Sequence, residues 1–339
     1  MHVLCLLYAL GVLSFWLLIR YLGDHWWPAT VLLYSPRWPW LLPLFLLLPL
    51  TFRRRAKKWM WLTFFAGLFA LGPLMGLSLP WRRIAQETKG LKVRMLVCNV
   101  HQSELDMPAL DAYVRQVEPQ VVMLQDYSRR RDLMPAVSGP GWHHYQVGEI
   151  FIASRYPLVH VYDLNLQRIR GNDDVDPLRR TGAAVCFDLD TSAGVLHLVD
   201  LHLASPHPAL RTLRHNLPMS VQRLEANSTR RWNESQQITD YLATLRGPFI
   251  LAGDFNTPAE SPIYRHFWWQ YPDAFPTAGF GFGYTHFSWL SELRIDHLLT
   301  SPSISCTAFH TGPPCGTPHR PMVADLVIRK ATESNLSRQ

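Results

Sequence analysis

A short apolar run, Phe249–Ala252, leads directly into Gly253, Asp254, Phe255 and Asn256. Such a run predicts a buried β-strand. Alternation along an extended chain would place Asp254 and Asn256 on one side and turn Phe255 to the other. An acid and an amide held together at a strand end can bind a hydrated metal ion, a water or a phosphate. The same residue types also build turns, so this stretch alone leaves a simple turn as an equal alternative.

Other predicted strands also end in polar residues. Residues 93–100 form an apolar run with Asn99 near its end, and Val121–Leu124 is followed by Gln125 and Asp126. Between them, apolar residues at helical spacing predict a helix. Because ligands bind at the carboxyl ends of strands in α/β sheets, this edge is a candidate site. The apolar face of the helix comprises Leu110, Tyr113, Val114 and Val117.

The rest of the chain continues this pattern of strands and one long helix. A helix with the apolar face Ile238, Tyr241, Leu242 and Leu245 precedes the strand that ends at Asp254. Further strands are predicted at 150–153, 183–189, 195–203 and 323–328. Together these elements place seven polar residues at or near strand ends. The seven are Asn99, Asp126, His202, Asp254, Asn256, Asp296 and His319.

This set of side chains suits metal-assisted hydrolysis of a phosphodiester. Carboxylates hold Mg²⁺ or Mn²⁺ through oxygen ligands. A carboxylate or a His–Asp pair can orient and deprotonate water, and His and Asn donors can stabilise charge on the phosphate oxygens.

The ordered motifs resemble those of the endonuclease/exonuclease/phosphatase superfamily, which includes nucleases, inositol-phosphate phosphatases and neutral sphingomyelinases. The resemblance covers residues 91–330 and implies a four-layer α/β sandwich, in which two mixed β-sheets pack face to face with helices outside. The matching pieces are Asn99, Leu124-Gln125-Asp126, Ser154-Arg155-Tyr156-Pro157, His202-Leu203, Gly253-Asp254-Phe255-Asn256, Arg294-Ile295-Asp296 and His319-Arg320-Pro321.

The resemblance also implies roles for these residues. Asp126 corresponds to the metal carboxylate, and Asp254 to the residue that positions or activates water. Asn99 and Asn256 correspond to orienting amides near the metal and phosphate, with Asn99 and Asp254 as further candidate metal ligands. The phosphate-facing donor corresponds to His202, and the paired carboxylate and imidazole to Asp296 and His319. Either Asp254 or the His319–Asp296 pair could be the general base.

Two positions depart from the family pattern. The family usually has Glu where this chain has Asp126, whose side chain is one methylene shorter. The last motif is usually Ser-Asp-His, but here it is Thr317-Pro318-His319, so a potential metal carboxylate is replaced by proline. A catalytically inactive binding module on the same fold is therefore the alternative to an enzyme.

The first 80 residues predict a membrane anchor, with residues 81–90 as a linker and 331–339 as a polar tail. Apolar stretches at 3–19, 38–52 and 59–79 predict about three transmembrane helices, since about 20 residues span the roughly 30 Å hydrocarbon core. The middle stretch is short and contains prolines. A cleaved signal peptide is the alternative for the first stretch, although it lacks a basic n-region.

Charge distribution predicts the orientation of the anchor. Seven of the 33 basic residues but one acidic residue lie in residues 1–80, so the rest of the chain is nearly neutral and does not favour a nucleic-acid surface. The basic cluster 53–58 predicts a cytoplasmic loop, which places the later domain outside the inner membrane, in the periplasm of a Gram-negative bacterium. In that oxidising compartment Cys306 and Cys315 could form a disulfide.

The sequence therefore predicts a membrane-bound, Mg²⁺- or Mn²⁺-dependent phosphodiesterase that uses in-line attack by water. The N-terminal helices would contact membrane lipid. The phosphodiester substrate could be DNA, RNA or a lipid headgroup.

Overall fold

The computed structural model describes residues 1–80, 89–101, 104–127, 133–164, 166, 183–288 and 291–329. Most of the predicted linker 81–90 and the whole tail 331–339 lie outside the described residues, so those boundaries stay predictions. The α-helices of the described ranges are α1 (His2–Leu22), α2 (Trp27–Leu33), α3 (Leu42–Arg53), α4 (Lys57–Phe69), α5 (Met107–Val117), α6 (His207–Thr212), α7 (Leu217–Leu242) and α8 (Ala274–Ala278).

The strands form two mixed sheets and a small hairpin. The strands are β1 (Leu91–Asn99), β2 (Val121–Gln125), β3 (His143–Val147), β4 (Ile150–Ser154), β5 (Leu158–Asp163), β6 (Ala183–Thr191), β7 (Gly194–His202), β8 (Phe249–Asp254), β9 (His286–Phe287), β10 (Glu292–Leu293), β11 (Asp296–Thr300), β12 (Ile304–Thr311) and β13 (Met322–Ile328). The first sheet has the order β12-β13-β1-β2-β4-β3 and the second β11-β8-β7-β6-β5, while β9 and β10 pair with each other.

Side chains alternate between the two faces of each buried strand. They form one core between the two sheets and a further core beneath the helices on each outer face. In β1, Met95 and Val97 face the inter-sheet core, while Leu96 and Cys98 face the core under α5. The second sheet contributes Phe187 to the inter-sheet core, and its other face packs against α7. The predicted four-layer sandwich is therefore confirmed.

Both predicted helices are present, but α7 begins well before the predicted apolar face and ends before Leu245. All four predicted apolar residues of α5 are buried, and the Asp106 side chain caps the helix by accepting a hydrogen bond from the Ala109 amide at 3.1 Å. α7 is capped in the same way by Asn216, and it buries Ile238 and Leu242. These helices cover opposite faces of the sandwich and fix the connections that lead into β2 and β8.

The strands that were not predicted from the sequence include β3, β5, β9, β10 and β12, and the disulfide that the sequence left open does not form. β3 and β5 are edge strands whose side chains are mostly exposed, so they lack an apolar run. Cys306 and Cys315 do not form a disulfide with each other. The sequence left this pairing open, and the structure separates the two residues, because Cys306 lies in the inter-sheet core and Cys315 in the core under α5.

The first 80 residues form a compact bundle of apolar helices. By length and apolar composition α1 alone is a candidate membrane span among the described residues, and the pair Trp27–Leu33 and Trp38–Arg53, bent by 74°, is a second candidate if it counts as one span. The third predicted span is a shorter helix, α4, that continues into a π-helical turn at Ala70–Leu74. Stacking of His2 on Trp59 places the starts of α1 and α4 at one end of the bundle.

The opposite end of the bundle packs on the α/β sandwich. The Arg37 guanidinium bonds the Leu74 carbonyl at 3.0 Å and forms a 2.8 Å ion pair with Glu260 of the sandwich. Ser78 pairs with Gly281 through two backbone hydrogen bonds. The sandwich thus lies at the end of the bundle that is remote from the basic residues Arg53–Lys58.

Candidate active site

Four predicted site residues meet where strand ends of the two sheets converge. In the second sheet, Asp254 at the end of β8 is the register partner of His202 in β7 and of Asp296 in β11. Asn99 at the end of β1 reaches across from the first sheet, and its side-chain amide donates to Asp254 Oδ2 at 2.8 Å. The site therefore lies between the two sheets.

A turn, not extended alternation, brings Asp254 and Asn256 together. Asn256 has a left-handed φ of 47°, and its backbone N–H donates to Asp254 Oδ1 at 2.8 Å. Its side-chain amide donates to Asp254 Oδ2 at 3.3 Å, while Phe255 is fully buried on the other side. Gly253 is required here because a Cβ would lie 2.0 Å from the Leu201 carbonyl oxygen. The stretch is both the predicted strand end and a turn.

His319 and Asp296 form the predicted pair of imidazole and carboxylate. His319 Nδ1 lies 2.9 Å from Asp296 Oδ2, and His319 Nε2 lies 3.8 Å from Asp254 Oδ2. Hydrogen bonding to the carboxylate places the proton on Nδ1 and directs Nε2 into the site. All three side chains are almost fully buried.

The segment before His319 is held by hydrogen bonds from the backbone amides of Phe287 and His319. The Pro318 carbonyl accepts from the Phe287 amide at 2.8 Å, and the Thr317 hydroxyl accepts from the His319 amide at 3.1 Å. Pro318 therefore helps to fix the position of His319, although it cannot supply the carboxylate that the family motif usually has at this position.

His202 is oriented by a residue that the sequence analysis missed. Its Nδ1 lies 2.6 Å from Glu149 Oε1, and its Nε2 lies 3.7 Å from Asp254 Oδ2. Burial alone would lower the pKa of His202, but the hydrogen bond and charge of Glu149, with the charges of Asp254 and Asp126, raise that pKa to about 10. Glu149 immediately precedes β4, the antiparallel partner of β2, and only that strand pairing places it beside the site.

Negative charge is concentrated in this buried site. Burial and then the charge of Asp296 raise the pKa of Asp254 above its usual range. Burial acts in the same direction on Asp296, but the charge and hydrogen bond of His319 outweigh it and lower the pKa of Asp296. The two carboxylates also raise the pKa of His319 against the effect of burial. A cation between the carboxylates would relieve their repulsion.

The donor set fits a divalent metal ion. Asp254, Asp296 and His319 each offer a ligand atom, and these atoms all lie within 4.8 Å of one another. Asp126 follows β2 with a left-handed φ of 53° and is nearly buried, but it is outside this compact group. Its expected role as a metal carboxylate stays a prediction, as does that of Asn99.

A further buried carboxyl, that of Asp200, lies behind the site. Asp200 Oδ1 accepts from Gln125 Nε2 at 2.5 Å, whereas Asp200 Oδ2 and Gln125 Oε1 are buried without a hydrogen-bond partner. Burial raises the pKa of Asp200 well above its usual range, despite the hydrogen bond from Gln125. A proton on Asp200 gives the pair the donor that it lacks. The raised pKa favours the neutral form of Asp200, whose contact with Gln125 joins the two sheets.

A further group of metal-ligand types, Cys186, Asp188 and His197, lies elsewhere on the second sheet. His197 Nδ1 contacts Asp188 at 2.6 Å, and His197 Nε2 contacts the Arg246 carbonyl at 3.1 Å. Both ring nitrogens already face acceptors, so this group is explained as a structural hydrogen-bond network.

Comparison with known proteins now decides the family. The model of the endonuclease/exonuclease/phosphatase family matches residues 97–319, more than half of the chain. The chain belongs to this family. Proteins of this family are in general hydrolases that act on phosphoester bonds, and they typically use divalent metal ions. No curated protein sequence matches the chain.

Solved structures share the fold at low sequence identity. An endonuclease/exonuclease/phosphatase from Bacteroides vulgatus is 16% identical with a TM-score of 0.51, and the match covers 70% of this chain and 100% of that one. Truncated TDP2 of Caenorhabditis elegans is 15% identical with a TM-score of 0.51, covering 71% and 100%. The 3′ phosphatase NExo from Neisseria, bound to product DNA hairpin, is 16% identical with a TM-score of 0.50, covering 68% and 98%. At these identities the likeness supports the fold alone.

Proposed function

We propose that this protein is a membrane-anchored, Mg²⁺- or Mn²⁺-dependent phosphodiesterase. The observation that carries the proposal is the buried, closely spaced group of Asp254, Asp296 and His319, in which two carboxylates face each other at the meeting point of both sheets. Asp254 and Asp296 with His319 would hold the ion, with Asn99 and Asp126 as further candidate ligands. A bound divalent ion supplies charge neutralisation at the phosphate oxygens.

The side chains of the site would stabilise charge on the phosphate, orient Asp254 and accept a proton from the attacking water. His202, protonated by its contact with Glu149, donates to a phosphate oxygen and stabilises the charge that builds there. The amides of Asn99 and Asn256 fix the Asp254 carboxylate for in-line attack by water. Where His319 ligates the ion, Asp254 accepts the proton from that water; where the two carboxylates hold the ion without His319, the His319–Asp296 pair accepts it.

A hydrolysis assay tests this proposal with the full-length protein in detergent. The substrates are bis(p-nitrophenyl) phosphate, plasmid DNA, RNA and short-chain phospholipids, each with Mg²⁺, with Mn²⁺ and with chelator. Asp200→Asn is the matched control for Asp254→Asn because it also replaces a buried carboxyl but lies behind the site. We expect metal-dependent turnover that Asp254→Asn abolishes and Asp200→Asn retains.

The preferred substrate distinguishes a nuclease from a lipid phosphodiesterase. The near-neutral charge of the chain after residue 80 favours a lipid headgroup or small phosphodiester over a nucleic acid. Absence of turnover on every substrate, together with absence of Mg²⁺ or Mn²⁺ binding, would favour the inactive binding module.

We further propose that the chain crosses the inner membrane more than once and places the sandwich in the periplasm. The basic cluster Arg53–Lys58 and the sandwich lie at opposite ends of the helix bundle, as the positive-inside rule requires for that orientation. Protease treatment of spheroplasts tests this orientation, since the sandwich should be digested without permeabilisation. Digestion only after the inner membrane is opened would reverse it.

A further inference from the structure

The end of the helix bundle contacts the backbone of the active-site turn. The Tyr34 hydroxyl, which lies in the connection between α2 and α3, donates to the Asn256 carbonyl at 2.7 Å. The Asn256 side chain then donates to the Leu203 carbonyl at 2.8 Å and to Asp254 at 3.3 Å. A residue of the N-terminal region is thus two hydrogen bonds away from the carboxylate of Asp254.

A fully buried arginine joins this contact to the sandwich. Arg231 of α7 donates through Nη1 to the Tyr34 hydroxyl at 2.5 Å and to the Asn256 carbonyl at 3.0 Å. Through Nη2 it forms a 3.1 Å ion pair with Asp24, which lies between α1 and α2. Asp24 also accepts from the Ile263 amide at 3.3 Å. The buried guanidinium therefore takes its counter-charge from the N-terminal region.

This arrangement fixes the turn from one side. The left-handed Asn256 keeps its N–H on Asp254 and its carbonyl on Tyr34 and Arg231, so both polar backbone groups of the residue are bonded. Without Tyr34 the carbonyl keeps the bond from Arg231 alone. Small displacements of catalytic groups lower reaction rates strongly.

We propose that Tyr34 and Arg231 are positioning residues that act through Asn256 on Asp254, so that the N-terminal helices form part of the active-site scaffold as well as the anchor. The catalytic consequence rests on the proposed function, whereas the structural consequence does not. The turn should become more mobile when the contact is removed, whether or not the protein hydrolyses any of the substrates named above.

Tyr34→Phe tests the proposal in the full-length protein in detergent, because it removes one hydroxyl and keeps the ring. Tyr284→Phe is the matched control, since Tyr284 also donates across the boundary between bundle and sandwich, to the Met75 carbonyl at 3.2 Å. The first measurement is hydrogen exchange of the peptide covering 250–258. The second is kcat and KM for bis(p-nitrophenyl) phosphate.

We expect Tyr34→Phe to accelerate exchange of the Asn256 amide. We also expect it to lower kcat by about tenfold and to leave KM within about twofold, because the displaced Asp254 carboxylate acts in the reaction more than in substrate binding. Tyr284→Phe should change neither quantity. Equal behaviour of the two variants in exchange would overturn the proposal, and so would faster exchange in Tyr34→Phe with an unchanged kcat. If the wild type lacks turnover, the exchange comparison alone decides whether Tyr34 holds the turn.

Discussion

Two buried clusters of charge lie on either side of the Asn256 turn, and they are balanced differently. Beneath the turn, the positive charge of Arg231 is paired with Asp24 and surrounded by hydroxyl and carbonyl acceptors. In the site, Asp254 and Asp296 face each other, and repulsion contributes to a raised pKa of Asp254. Removing one partner of a balanced cluster strands a buried charge and destabilises the fold, whereas an unbalanced cluster is suited to take up a cation.

The largest expected effect concerns the unbalanced cluster. Asp254→Asn should lower metal-dependent hydrolysis by about 10³-fold, because it removes a charge that faces the reacting phosphate while keeping the shape of the side chain. Steady-state kinetics on bis(p-nitrophenyl) phosphate measures the loss. An activity within a few fold of wild type would show that Asp254 only supports the turn.

Breaking the balanced cluster of Arg231 and Asp24 should lower the stability of the protein. Arg231→Met leaves Asp24 buried without its partner and should lower the free energy of unfolding by about 3–5 kcal/mol. Chemical denaturation in detergent measures this change. Adding Asp24→Asn should restore part of the loss, because the second substitution removes the stranded charge. If the double variant is no more stable than Arg231→Met, the two residues do not act as a pair.

A smaller effect is expected from the residue that orients His202. Glu149→Gln removes the strongest cause that raises the pKa of His202, so this pKa should fall below about 10 in the metal-free protein. NMR titration of the imidazole measures it. A raised histidine pKa stabilises the fold below the unfolded pKa, and this contribution disappears as pH rises through the folded value. The wild type should therefore lose this contribution progressively as pH rises from about 6.5 to about 10, and Glu149→Gln should lose less over the same range.

The smallest effect on stability is expected from a substitution of Asp200, which lies behind the site. Asp200→Asn should change the free energy of unfolding at neutral pH by less than about 1 kcal/mol, because an amide replaces a neutral acid of the same shape. Thermal or chemical unfolding measures the change. A loss of several kcal/mol would mean that Asp200 is ionised in the folded protein.

The active site and the Arg231–Asp24 cluster also differ in how far the sequence predicted them. The strand ends that carry Asn99, His202, Asp254 and Asp296 follow apolar runs or stand in ordered motifs, so their convergence could be expected. Glu149 could not be found in this way, because its place depends on the pairing of β4 with β2.

The contact of Asp24 and Tyr34 with Arg231, between the helix bundle and the sandwich, was not predicted either, for a different reason. Asp24 and Tyr34 are separated from Arg231 by about 200 positions in the sequence. Each of the two, taken alone, is an ordinary polar residue near an apolar helix. Local periodicity carries no information about such a contact. The sequence therefore predicted an anchor and a separate domain, whereas the structure joins their buried charges.

Calorimetric titration of Mn²⁺ into the full-length, metal-free protein tests the central claim most directly. The account predicts a binding event at the cluster of Asp254, Asp296 and His319 that Asp254→Asn removes or greatly weakens and that Asp200→Asn preserves. Binding of equal strength in wild type and Asp254→Asn, or no binding in the folded wild type, would contradict the assignment of this cluster as the metal centre.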